Sequence, residues 1–221
     1  MRELIDLSHT VHHGLVTHRG LPGPVICDYL SREASRQSYE AGTEFQIARI
    51  DMVANTGTYV DCPFHRYADG KDLSEVPLER FVALPAVMVR VPYVRRLDIG
   101  SRELGQVDVR GKAVLVHTGW SEHWGTEGYL NEHPFLTAEA AAYLRDSGAV
   151  LVGIDSHNID DTRSRNSRPV HTTLLGSDIL IAEHLCNLER VPEGPFTFSA
   201  VPPKLKGVGT FPVRAFAEVG Q

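Results

Sequence analysis

Short apolar runs separated by turn residues dominate this chain, and one stretch carries a clear helical repeat. "AVMVRV" (86–91), "AVLVHTG" (113–119) and "AVLVGID" (149–155) are rich in β-branched residues and bounded by Pro or Gly, which predicts strands in a buried sheet. "TAEAAAYLRDSG" (137–148) predicts a helix, with Thr137 as its N-cap, Ala and Leu inside, and Gly148 at its left-handed stop. It runs directly into "AVLVGID", an α-to-β unit typical of mixed domains. Residues 2–8 predict an opening strand, and "EFQIARIDMVA" (44–54) alternates as a strand that delivers the chain into Asn55 and a glycine turn. "LSEVPLERF" (73–81) predicts a short helix. Residues 18–43, with Pro22, Pro24 and a weakly periodic polar run, read as loop and irregular strand, a candidate flap. After a loop over 156–170 come "HTTLLGSDILIAEHLCNL" (171–188) and a last strand pair around "FTFSAVPPKLKG" and "FPVRAFAEV". No repeat or linker divides the chain, so one domain over 1–221 of α/β or α+β class with a mostly buried sheet is expected.

Composition narrows the function classes. With 42% hydrophobic and 23% charged residues, the 221-residue chain is an ordinary globular sequence. Its net charge of −6 lacks the basic stripe that nucleic acid requires, which favours a small-molecule substrate. No apolar run reaches a membrane span, and the N-terminus lacks the apolar core of a signal peptide, so a cytoplasmic protein is expected. Cys27, Cys62 and Cys186 are odd in number and scattered, as reduced thiols are. Cys62 has no cationic neighbour in sequence and reads as a buried filler rather than a nucleophile.

Candidate chemistry gathers in a few places. In "NTGTYVDCPFH" (55–65), Asp61 and His65 can converge across a loop stiffened by Pro63, either on a divalent cation or as a base and its orienting partner. Spacing alone favours a capped turn instead. His171 and Glu183 form a second pair. A carboxylate among Ile, Leu and Ala needs a metal or cation if buried, unless it lies on an exposed helix face. Asp155, Asp160 and Asp161, followed by Arg163, Arg165 and Arg168, read most simply as a charge-paired loop. Trp120 suits either a substrate wall or the core. His9, His12, His13, His18, His123, His133 and His184 have no telling companions and read mostly as surface or capping residues.

Taken together, these segments resemble one family, the cyclases that include bacterial kynurenine formamidase and isatin hydrolase. The family signature His-x-Gly-Thr-His-x-Asp-x-Pro-x-His aligns with "NTGTYVDCPFH", and "DLSH", "DGKDLSEVPLERFV", "VLVHTGW", "GIDSHNID", "HTTLLGSDILIAEHLCNL" and "PPKLKGVGTFPVRAFA" follow in family order. The resemblance implies a swivelling β/β/α fold, in which a mixed sheet or barrel-like core is flanked by helices. It also implies a homodimer or homotetramer, and hydrolysis of amides or lactones of small aromatic or cyclic compounds with one or two zinc or manganese ions. Two motif histidines are replaced here, by Asn55 and Tyr59, so the resemblance implies loss of the first ion site. Asp61, His171 and Glu183 correspond to ligands of the second, and His65 to the general base. Where the family often has arginine and serine, this chain has His117 and Asn158, and both are expected at strand ends facing the substrate.

Two mechanisms stay open at this level. In one, a single divalent ion at Asp61, His171 and Glu183 polarises a water and His65 takes its proton. In the other no metal is bound, His65 is the acid/base, and Tyr59 donates a hydrogen bond to the substrate oxygen. The corresponding functions are a C–N or C–O hydrolase, a metal-free polyketide-type cyclase or dehydratase, and a catalytically silent small-molecule binder.

Overall fold

The computed structural model describes residues 2–163 and 167–220. Its strands, in chain order, are β1 (Glu3–Asp6), β2 (Val25–Leu30), β3 (Ile47–Asp51), β4 (Tyr59–Asp61), β5 (Leu84–Arg90), β6 (Asp98–Ile99) and β7 (Ala113–His117). They continue with β8 (Phe135–Leu136), β9 (Leu151–Ile154), β10 (Leu180–Glu183), β11 (Phe196–Ser199), β12 (Thr210–Pro212) and β13 (Phe216–Val219). Nine of them form one mixed sheet in the order β1-β13-β11-β5-β7-β9-β10-β4-β12.

The centre of that sheet, β5-β7-β9-β10, is parallel, and its flanks are antiparallel. Parallel strands are covered on both faces, which is why these segments read as continuous apolar runs. Within each run the period of two still sorts residues. Val114, Val116, Val152, Ile154 and Ile181 pack into one buried cluster, and Ala113, Leu115, Leu151 and Ala182 into another on the opposite face. The helices of the described residues are α1 (Arg32–Arg36), α2 (Ser101–Leu104), α3 (Ala138–Ser147) and α4 (Pro169–Leu175), and α3 and α4 complete the first cluster. Thr137 caps α3 by accepting a hydrogen bond from the Ala140 N–H at 3.2 Å, and Gly148 ends it in the left-handed region at φ 82°.

The sheet also curls towards closure. Just past β1, Ser8 forms an antiparallel bridge with Leu185, and the Cys186 N–H donates to the Leu7 carbonyl at 3.0 Å. Although β1 stands at the far edge in strand order, its end therefore meets the end of β10, giving the barrel-like core expected from sequence.

Three expectations need correction. Residues 73–81 do not form a helix: they make turns, with a single 3-10 turn at Leu78–Arg80. Asp72 diverts the segment by accepting from the N–H groups of Ser74 and Glu75, and Pro77 breaks the helical hydrogen-bond ladder. Residues 44–54 do give a strand, β3, but it pairs only with β2 in a separate two-stranded sheet, and every residue of β3 is exposed. The 18–43 region is more regular than its composition suggests, supplying β2 and a five-residue helix at Arg32–Arg36 capped by Ser31. No helix among the described residues is long and apolar enough to cross a membrane.

Candidate active site

Strand register brings the chemistry together. In the antiparallel pair β4/β10, Tyr59 lies opposite Glu183, and in β4/β12 Asp61 lies opposite Thr210. Directly opposed residues and i, i+2 neighbours share a face, so Tyr59, Asp61, Glu183 and Thr210 project to the same side. α4 brings His171 to that face, and a 3-10 turn at Pro63–His65 places His65 at its rim, with 32% of its side chain exposed. Asp61 and Glu183 are fully buried.

The two oxygens of Asp61 are treated differently: one is hydrogen-bonded and the other is not. The Thr210 hydroxyl donates to Oδ1 and lies 2.7 Å from His65 Nδ1. Oδ2 is buried with no hydrogen-bond partner, and it faces His171 Nε2 at 3.7 Å. Glu183 Oε1 lies 3.8 Å from the same nitrogen. Asp160 fixes the ring: its Oδ2 is 2.6 Å from His171 Nδ1, and its two oxygens also accept from the N–H groups of Val170 and His171. Nδ1–H is thereby committed to Asp160, and Nε2 is aimed at Asp61 and Glu183.

Glu183 is held from its other side. Tyr59 donates its phenolic proton to Oε2 at 2.5 Å, the Ile159 N–H donates to Oε1 at 2.6 Å, and the Asn158 amide reaches Oε2 at 3.4 Å. Tyr59 is itself contacted by His18 Nε2 at 2.9 Å and by the Asn55 side chain.

The electrostatics follow from burial and these contacts. Burial pushes the Tyr59 phenol well above its usual range, and the carboxylates of Glu183 and Asp61 add to this. Burial also raises Glu183 to about 7, against the opposing pull of His171. For Asp61, burial alone would raise the pKa, but the nearby His171 imidazole, the field of His65 and the Thr210 hydroxyl hold it low. His171 would be made less basic by burial, yet Asp160, Asp61 and Glu183 reverse this and lift it to about 10.

The donor set fits a divalent ion. Metal–ligand distances near 2.0–2.2 Å place donors in a tetrahedral site about 3.3–3.6 Å apart, close to the 3.7 and 3.8 Å found here. An unpartnered buried carboxylate oxygen beside a tautomer-fixed imidazole is the arrangement that an ion would complete. Among the described residues, Asp61, His65 and His171 offer donor atoms that all lie within 4.8 Å of one another, which makes His65 a candidate third ligand. Glu183 also faces His171 Nε2, but both of its oxygens are engaged, by Tyr59 and Ile159, just as the His65 nitrogen nearest Asp61 is engaged by Thr210.

The chain matches the Cyclase family model over residues 5–161. It is also 31% identical over 215 residues to a kynurenine formamidase of Bacillus cytotoxicus, spanning 96% of both chains. The chain belongs to the cyclase family. Among solved structures, one described as a potential metal-dependent hydrolase with cyclase activity is 25% identical, covers both chains fully and superposes with a TM-score of 0.81. Isatin hydrolase A from Ralstonia solanacearum shares the fold, with a TM-score of 0.85 over 99% of this chain and 92% of that one, at 22% identity. The relatives are hydrolases, and this cyclase-family member is a hydrolase as well.

Not every residue singled out in the sequence reaches this cluster. Asp61, His65, His171, Glu183, Tyr59, Asn55 and Asn158 do. His117 instead stands at the end of β7, with Nδ1 2.7 Å from Arg90 Nη1, and lines an open cleft of about 630 Å³ with Ser8, Glu122 and Glu189. Trp120 is packed in the interior: its indole N–H donates to the Tyr129 carbonyl at 3.2 Å and its ring meets Tyr93 and His123. The charge-paired loop divides too. Asp161 pairs with Arg163, but buried Asp160 serves His171 and buried Asp155 accepts from Thr118 and Gly119; Arg165 lies outside the described residues. Cys62 is buried, and burial raises its thiol to about 11, in keeping with a filler.

Among the histidines read as surface or capping residues, His12 and His13 are exposed, but others need the largest correction. His18 contacts Tyr59, and its ring meets those of His157 and His184 with centroids 4.9 and 5.1 Å apart. His184 is fully buried beside Glu183, with Nδ1 2.8 Å from the Tyr129 hydroxyl, and its backbone is left-handed at φ 56°. Burial lowers His18 to about 4 and His157 to about 3, and takes His184 well below its usual value. Next to the ionised cluster, the protein thus builds a wall of neutral rings. Two signals in the sequence pointed to it: His184 inside the apolar run "ILIAEHL", and His157 at a strand end.

Proposed function

We propose that this protein hydrolyses an amide (C–N) or lactone (C–O) bond of a small aromatic or cyclic compound. In this reading one zinc or manganese ion is held by Asp61, His171 and Glu183, and His65 is the general base. The observation that carries it is the buried, unpartnered Oδ2 of Asp61 facing His171 Nε2, with His65 at the rim. A bound ion would supply Lewis acidity at the carbonyl or water oxygen. His65 takes a proton from the attacking water, and the neutral rings of His18 and His157 favour a flat, weakly polar substrate. Tyr59 has a different part from that of a substrate donor: its proton goes to Glu183, so it orients that carboxylate. Kynurenine formamidase relatives support the amide. A cytoplasmic homodimer or homotetramer belongs to the same reading.

The test couples metal content to turnover. Protein purified without chelator should carry one ion per chain, Asp61→Ala should carry none, and N-formylkynurenine, isatin or a simple lactone should be hydrolysed. His65→Ala should keep the ion and lose turnover. A second reading, metal-free cyclisation or dehydration, is favoured by one feature: a protonated His171 already neutralises the carboxylates around it. Full activity after chelation would select that reading and reject the first.

A further inference from the structure

Thr210 was not singled out by its sequence pattern, yet its hydroxyl lies within hydrogen-bond distance of both Asp61 and His65. Proton counting makes this informative. An ionised carboxylate can only accept, so the single hydroxyl proton of Thr210 goes to Asp61 Oδ1. The threonine oxygen then has only lone pairs to offer His65, whose Nδ1 lies 2.7 Å away and must carry the proton that joins them. The other ring nitrogen, Nε2, is left with a free lone pair, the state a general base requires.

The backbone enforces this geometry. Register sets Thr210 opposite Asp61, and the Cys62 N–H donates to the Gly209 carbonyl at 2.9 Å. Gly209 lies so close to the turn that a Cβ there would stand 2.3 Å from the His65 nitrogen and 2.6 Å from its Cα. The "GVGT" segment (207–210) therefore grips the turn carrying His65 through one residue and orients its ring through the next.

We propose that Thr210 is a positioning residue that fixes His65 as the Nδ1–H tautomer, so that Nε2 is the base. This rests on the hydrolase reading for its catalytic meaning, but the tautomer itself does not. A proton on Nδ1 also leaves Nε2 as the one ring nitrogen of His65 with a lone pair to offer, whether to a proton or to an ion.

The experiment is 15N NMR of histidine-labelled full-length protein in chelator at pH 8, with the His65 signals assigned by their loss in His65→Gln. Wild type should show a protonated-type Nδ1 and a pyridine-type Nε2. Thr210→Val, which keeps the shape and removes the hydroxyl, should shift His65 towards the opposite tautomer, and Thr210→Ser should restore it. On whichever substrate is turned over, Thr210→Val should lower kcat by about 10- to 100-fold with little change in KM, again with rescue by serine. A pyridine-type Nδ1 in wild type, or a folded Thr210→Val with an unchanged His65 spectrum, overturns the proposal. Both outcomes are read without substrate or metal. If no substrate is hydrolysed while the tautomer is as stated, the hydrolase reading fails and the positioning of His65 stands.

Discussion

His171 should make the metal-free protein lose stability as pH rises above neutrality, and the size of the loss follows from the structure. Its Nδ1 is 2.6 Å from Asp160, and its Nε2 lies 3.7 Å from Asp61 and 3.8 Å from Glu183, all inside the protein. These carboxylates outweigh the cost of burial and lift its pKa from 6.5 to about 10. A group whose folded-state pKa is raised contributes stability that is fully present below the unfolded value, here 6.5, and is lost as pH climbs through the folded one. Glu183, raised to about 7, changes stability with the same sign at lower pH. Between pH 7.5 and 10 the effect therefore belongs to His171 and, at 1.36 kcal/mol per pH unit, amounts to about 3 kcal/mol. Urea unfolding in chelator at half-unit pH steps, for wild type and His171→Gln, measures it. Wild type should lose about 3 kcal/mol more than the variant across that range, at constant m-value. Parallel curves would refute the reasoning. Asp160→Asn gives an independent check, since removing that charge lowers the folded-state pKa of His171 and should make the loss smaller and complete at lower pH, with its onset near 6.5 unchanged.

Two further outcomes test the scaffold of the site. Gly209→Ala should lower the unfolding free energy by more than about 2 kcal/mol, because the added methyl meets the backbone of His65 rather than a flexible side chain; an unchanged melting temperature would contradict this. Tyr59→Phe removes the short hydrogen bond to Glu183 and leaves His18 Nε2 without that partner. It should cost about 1–3 kcal/mol in urea unfolding, and a neutral result would mean that water replaces the phenol.

Much of the scaffold was legible because it is written locally. The parallel strands appear as unbroken apolar runs, and α3 carries both its cap and its stop. Asp61, His65, His171 and Glu183 were found because they recur in one motif order along the chain. Thr210, Asp160 and His18 were not, since each acquires its role from a partner on another element. Thr210 faces Asp61 only through the β4/β12 register, and an aspartate followed by arginines in sequence turns out to serve a histidine. Reading the histidines one by one hid their cluster, because ring contacts between residues 18, 157 and 184 leave no periodic trace. Tyr59 looked like a donor to substrate because nothing in the motif revealed that Glu183 stands across the strand from it.

The register that assembles the cluster also constrains when it can exist during synthesis. Tyr59 and Glu183 are separated by 124 positions, and Asp61 and Thr210 by 149. β4 is flanked by β10 and β12, so on a growing chain it has neither neighbour until long after it has left the ribosome. Contacts of such separation form late, since loop closure must precede any gain from them. Until then, the nascent chain carries the polar side chains of Tyr59 and Asp61 on a strand without a sheet. The parallel core from β5 to β9 can associate meanwhile, and the reactive centre acquires its shape only after that core has done so.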